Sequence, residues 1–220
     1  MVRIVKLNQA LSLCALAVMI SGVLTAGPIY HPLGEQHPAD FGFNTNNPVN
    51  ATRGWRFLVN SSDVVVTQLG VETPASGAYP VTVTLFGVGT QGVLAQAATT
   101  PGPGWRWVDL GTPVPLTLGA EYIVAMYTGT DGSYYWKGGL PSSWYPTGTI
   151  QYLDMRYAND VGASVFPTDV LSGYQYGVPD IGYELGVAAI PEPLTGGMTG
   201  IGLILLGVGA RAFRRRRSAD

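Results

Sequence analysis

From Arg53 onward the chain alternates apolar and polar side chains with a period of two, the signature of strands that bury one face. Arg53–Val59 forms a first run, and Asn60-Ser61-Ser62-Asp63 follows it as a turn cluster. Val64–Val71 forms a second run, which Pro74-Ala75-Ser76-Gly77 breaks. In the next, Val81, Val83 and Leu85 share one face while Thr82 and Thr84 take the other. Gly87 to Gly92 predicts a hairpin loop returning through Val93–Ala97. Gly102-Pro103-Gly104 precedes Trp105–Leu110, and Val114–Leu118 leads into Glu121–Tyr127. Later strands are predicted at 134–137, 149–157 and 181–188. About nine short β runs, with no amphipathic helix of any length, predict an all-β antiparallel β-sandwich. No fixed repeat period argues for a propeller or a solenoid. Leu118-Gly119-Ala120-Glu121-Tyr122 has the spacing of a corner in which a tyrosine hydroxyl caps the backbone, giving Tyr122 a structural role.

Residues 28–52 break the alternation and read as an irregular, polar, solvated leader. Both histidines, His31 and His37, fall there, and their spacing matches no regular metal-ligand geometry.

The two ends differ in kind. Residues 1–27 read as a secretory signal peptide: Arg3 and Lys6 precede an apolar run from Ala10 to Ile20, and Thr25, Ala26 and Gly27 supply small residues for cleavage. At the other end, residues 190–217 hold Pro191-Glu192-Pro193, a glycine-rich apolar run over residues 194–210, and a basic stop at Arg214, Arg215, Arg216 and Arg217. As a transmembrane helix those 17 residues would span about 26 Å, just under the hydrocarbon thickness of a bilayer. The arginines place the preceding domain outside the cytoplasm.

Those three elements in fixed order resemble the PEP-CTERM sorting signal of Gram-negative bacteria, with Leu194 where that family commonly carries serine. The resemblance covers about the last 30 residues. It implies export through the secretion translocon, passage through the inner membrane, and handling by an exosortase that cuts near the motif. An ordinary tail anchor without processing is the alternative. Residues 53–189 form the exported domain. Within it, Gly54-Trp55-Arg56-Phe57, Val83-Thr84-Leu85-Phe86, Gly104-Trp105-Arg106-Trp107-Val108 and Leu118–Val124 resemble a bacterial extracellular β-sandwich domain of unknown function. That resemblance implies a surface or binding role and transfers no catalytic residues.

Cys14 lies within the predicted signal, so the remaining chain has no thiol for a disulfide or a thiolate metal site. Residues 28–190 carry five Lys and Arg against twelve Asp and Glu, a formal charge of −7. That balance argues against nucleic acid as a partner. No Gly-x-Ser-x-Gly elbow, His-Glu-x-x-His pair or phosphate loop is present, and neither a cofactor nor a metal site is expected. A secreted glycan-active hydrolase or lyase using two carboxylates stays open as an alternative to a non-enzymatic envelope protein associated with exopolysaccharide or biofilm.

The candidate binding chemistry is aromatic. Tyr134, Tyr135 and Trp136 precede a glycine-proline loop, and Trp144 and Tyr145 follow it. Sugar rings stack their C–H faces on such side chains, and the same rings equally serve as core. On the glycan reading, Trp136→Ala and Trp144→Ala both weaken binding and leave the melting temperature almost unchanged. Trp55, Trp105 and Trp107 are expected in the core.

Overall fold

The computed structural model describes residues 27–34, 41–44, 50–74, 80–127, 129 and 133–186. Residues 1–26 of the predicted signal and the sorting segment 190–217 lie outside the described residues, as does His37. Among the described residues no helix is long and apolar enough to cross a membrane.

The described chain is all-β, with every strand pairing antiparallel. Twelve strands run in chain order: β1 (Gly42–Asn44), β2 (Ala51–Val59), β3 (Val64–Thr73), β4 (Thr82–Gly87), β5 (Val93–Ala98), β6 (Gly104–Pro115), β7 (Glu121–Tyr127), β8 (Tyr134–Gly138), β9 (Ile150–Asn159), β10 (Asp169–Leu171), β11 (Tyr174–Tyr176) and β12 (Val178–Leu185). A six-stranded sheet, ordered β10-β9-β2-β7-β4-β5, forms one layer. The other layer comprises two smaller sheets, β12-β3-β6 and β1-β8-β11. β12 packs on β7 and β2, β3 on β4, and β11 on β2 and β9, which gives a β-sandwich-like arrangement.

The alternation read from sequence decides what lies between the layers. Trp55, Phe57 and Val59 from β2 meet Val83 and Leu85 from β4, Val124 and Met126 from β7, and Val66, Leu69 and Val71 from β3, all fully buried. The β4–β5 hairpin closes as expected, with the Gly87 amide donating to the Gly92 carbonyl at 3.0 Å. Tyr122 caps its corner: its hydroxyl accepts the Thr117 N–H at 2.9 Å, and its ring stacks on Phe57.

Several expectations are corrected. The runs at 105–110 and 114–118 form one strand, β6, whose register jumps so that Gln68 pairs with Asp109 and Val66 with Val114. The intervening Gly-Thr-Pro bulges, and Pro113 costs no ladder bond because β6 is an edge strand. The face of β4 that carries Thr82 and Thr84 is also packed. Phe86, Ile123 and Ala125 form a second small core with Val88 and Phe166, and Thr84 is bonded to Ser164 there at 2.7 Å. β1, β10 and β11 have three residues each, too short for alternation to reveal.

The 28–52 segment is not a solvated leader throughout. Tyr30 exchanges backbone hydrogen bonds with Tyr183 at 2.8 and 3.0 Å, extending the β12 edge. Leu33 is fully buried, and β2 already begins at Ala51. His31 stacks on Trp107 with ring centroids 3.9 Å apart, and its Nε2 bonds Gln68 Oε1 at 3.0 Å. A single edge pairing has no periodic signal to announce it, so an irregular sequence conceals it.

Candidate functional site

Strand alternation splits the five aromatic residues that sequence grouped together. On β8, Tyr134 and Trp136 point one way and Tyr135 the other. Tyr135 meets Phe41 edge-on. Trp144, on a single 3-10 turn at Ser142–Trp144, is only 9 % exposed and packs on Phe41 and Tyr145 at 5.5 and 5.3 Å. Tyr145 lies against Tyr152, with centroids 4.1 Å apart. Trp144 therefore belongs to the core and is not a stacking platform.

This difference reverses one expected result. Trp144→Ala should cost about 3 kcal/mol or more of stability, because it empties a packed site. Trp136→Ala should leave the melting temperature within a few degrees of wild type, since Trp136 is 38 % exposed. Thermal melts of the two variants side by side check the contrast.

Tyr134 and Trp136 instead line a cavity of about 450 Å³ at one end of the space between the layers. Its other walls are Tyr176 from β11, Leu171 from β10, Tyr157 and Asn159 from β9, and Arg53 from β2. The volume falls within the range of small-molecule sites. Two glycines set the rings. Gly42 faces Trp136 across the β1–β8 ladder, and a Cβ there would lie 3.1 Å from the indole. Gly138 faces Tyr174, where a Cβ would lie 2.7 Å from the ring. Each ring lies flat over bare backbone. Tyr174 stacks on Tyr176 at 5.9 Å, and Tyr176 meets Trp136 at 6.4 Å, so a row of rings runs across the small sheet. Burial pushes the Tyr176 hydroxyl above its ordinary pKa, Tyr134 and Tyr174 add to the rise, and Arg53 opposes it. Tyr176 is therefore neutral at physiological pH, and the charge of the cavity wall comes from Arg53.

Sequence reasoning missed Arg53, Tyr157, Asn159, Leu171 and Tyr176. The available signal was a cation at an inward position of the first alternating run, in phase with Trp55, Phe57 and Val59. The other tryptophans divide. Trp55 is fully buried and donates its Nε1–H to the Pro179 carbonyl at 2.7 Å. Trp105 and Trp107 are half-buried and stack on each other at 5.2 Å. Trp107 covers Gly70, where a Cβ would lie 2.2 Å from its ring.

Glu121, Asp154 and Asp109 have structural partners. Arg56 bridges Glu121 at 2.9 Å and Asp154 at 2.5 Å, and Arg156 reaches Asp154 at 2.6 Å. Asp109 accepts from Gln68 at 2.7 Å. Among the described residues no three His, Cys, Asp or Glu come together as a metal-ligand set.

Asp180 is fully buried, and its oxygens accept the Leu33 N–H at 2.7 Å and its own neighbour's, Ile181, at 2.9 Å. Burial pushes its carboxyl well above the usual carboxylate range, against the pull of those two amides. A raised folded-state pKa means the folded protein holds this proton more tightly than the unfolded chain. The contribution is full below the unfolded value and is lost as pH rises through the folded one. Asp180→Asn removes the titration at the expense of one acceptor, a loss independent of pH. The wild type should therefore lose stability relative to Asp180→Asn as pH rises above the ordinary carboxylate value of about 4. Urea midpoints of both proteins as pH is raised measure it, and parallel curves would contradict it.

No protein-family model matches the chain, and no curated protein matches it.

Proposed function

We propose that this chain is an exported, exosortase-sorted envelope or matrix protein whose domain binds glycan without cleaving it, in association with exopolysaccharide or biofilm. The observation that carries the binding half is the cavity beside Trp136, where an indole packed over Gly42 and 38 % exposed stands next to three further rings. Its described walls are a guanidinium, four aromatic rings, an amide and an aliphatic side chain, groups that stack and hydrogen-bond. Cleavage by the usual glycosidase route instead takes two carboxyl groups flanking the bond.

The sorting half rests on the sequence. Residues 1–27 supply the export signal and residues 194–210 the membrane span. Pro191 and Pro193 fix φ on either side of Glu192 and remove two backbone donors, leaving an extended segment suited to a protease groove. Arg214–Arg217 orient that segment toward the outer side of the inner membrane.

Two experiments test the halves separately. Glycan-array binding by the purified protein, run beside hydrolase and lyase assays, should show binding without turnover; turnover of a bound glycan would establish the enzyme instead. For sorting, immunoblots should show unprocessed Glu192→Ala in the inner membrane. One product size in wild type, in Glu192→Ala and in a strain lacking the sorting protease would identify a plain anchor.

A further inference from the structure

We propose that the cavity selects an acidic sugar, with Arg53 reading the carboxylate of a uronic acid while Trp136 stacks on the sugar ring. This rests on the glycan-binding reading and adds the ligand's chemical class.

Arg53 occupies a core position. It faces inward from β2 in phase with Trp55, Phe57 and Val59, and only 6 % of its surface is exposed. A cation so placed is costly unless it meets an acceptor. Its neighbours are rings: the guanidinium carbon lies 5.4 Å from the Tyr134 centroid, 5.5 Å from that of Tyr157 and 5.7 Å from that of Tyr176. Cation–π contacts attract the charge but leave N–H donors unused. Nε and Nη1 are buried with no hydrogen-bond partner.

The other described arginines are held differently. Arg56 and Arg156 pair with carboxylates, and Arg106 donates to the Thr100 carbonyl and to Thr73 Oγ1. One nitrogen of Arg56 and one of Arg106 are likewise unbonded, but other acceptors hold both groups. Arg53 is the guanidinium that rings surround and a cavity adjoins.

A planar guanidinium fork takes a carboxylate through paired hydrogen bonds, and does so most strongly where water is scarce. Three tyrosine rings pack around the guanidinium and shield it from water, and Asn159 offers an amide to ring hydroxyls. The net charge of the domain opposes long-range attraction of a polyanion, but salt screens that field over about 8 Å. Selection thus acts at contact rather than by steering.

The test uses the full chain in mild detergent and three probes: trigalacturonate, its methyl ester and neutral trigalactose. Titration is followed by tryptophan fluorescence and calorimetry. Wild type should bind the acid at least about tenfold more tightly than the ester. Arg53→Met should abolish that preference while retaining ester binding, and Arg53→Lys should keep only part of it. Trp136→Ala should weaken acid and ester by similar factors. The wild-type ratio needs no variant, so a poorly folding Arg53→Met does not decide the outcome. Equal binding of acid and ester by wild type overturns the acid selectivity and leaves glycan binding standing. Failure to bind any of the three overturns both.

Discussion

Gly54→Ala is expected to cost about 3 kcal/mol or more, although it adds a single methyl group to an exchangeable-looking strand residue. Gly54 sits mid-strand in β2, opposite Ala125 of β7. A Cβ there would lie 2.1 Å from the Val124 carbonyl oxygen, 2.6 Å from the Ala125 Cα and 2.8 Å from its Cβ. Two of those three atoms are backbone and the third is bonded directly to it, so no rotamer change relieves the clash. The strands must separate, and β2 and β7 are the central pair of the six-stranded sheet. Gly89→Ala is the control, because a Cβ at Gly89 meets nothing within 4 Å. It should stay within about 0.5 kcal/mol of wild type. Urea midpoints of the two variants check the claim, and matching midpoints would show that the strands yield easily.

Trp55→Ala should be comparably damaging, at about 3–5 kcal/mol. The indole is fully buried, packs on Phe57 at 5.2 Å and on Tyr152 at 5.9 Å, and joins the layers through its bond to Pro179. Truncation leaves a cavity and strips the Pro179 carbonyl of its donor. Trp55→Phe separates the two effects: it keeps much of the ring volume and loses the hydrogen bond, which should cost about 1–3 kcal/mol. Because typical stabilities are about 5–15 kcal/mol, the alanine variant should approach the limit of folding. A Trp55→Ala melt close to that of Trp55→Phe would mean the site collapses around the gap.

Neither residue advertises these roles fully in the sequence. Trp55 reads as core from its phase with Phe57 and Val59, and the structure agrees. That a neighbouring strand presses on Gly54 depends on which strand pairs with β2 and in what register. Val83, Leu85 and the Tyr122 corner were legible because each is a local pattern: alternation within one strand, or a hydroxyl reaching five residues back.

The cavity was half legible. Tyr134 and Trp136 stand two apart on one strand, so alternation puts them on one face. Trp144 and Tyr145 are near them in sequence yet point into a different cluster, because a turn carries no period-two rule. Arg53, Tyr157 and Tyr176 come from strands separated by about a hundred residues or by a change of layer, and only packing brings them together.

By itself, then, the sequence determined the all-β class, the position of most strands and which side chains share a face, because pleat geometry is local and repeats every two residues. Tertiary structure alone decided that residues 30–33 dock on the β12 edge, that Trp144 is buried and Trp136 open, and that a core-phased arginine ends among three tyrosine rings beside a cavity. Those outcomes turn on which layer each strand joins, and that choice is made by contacts between residues far apart in the chain.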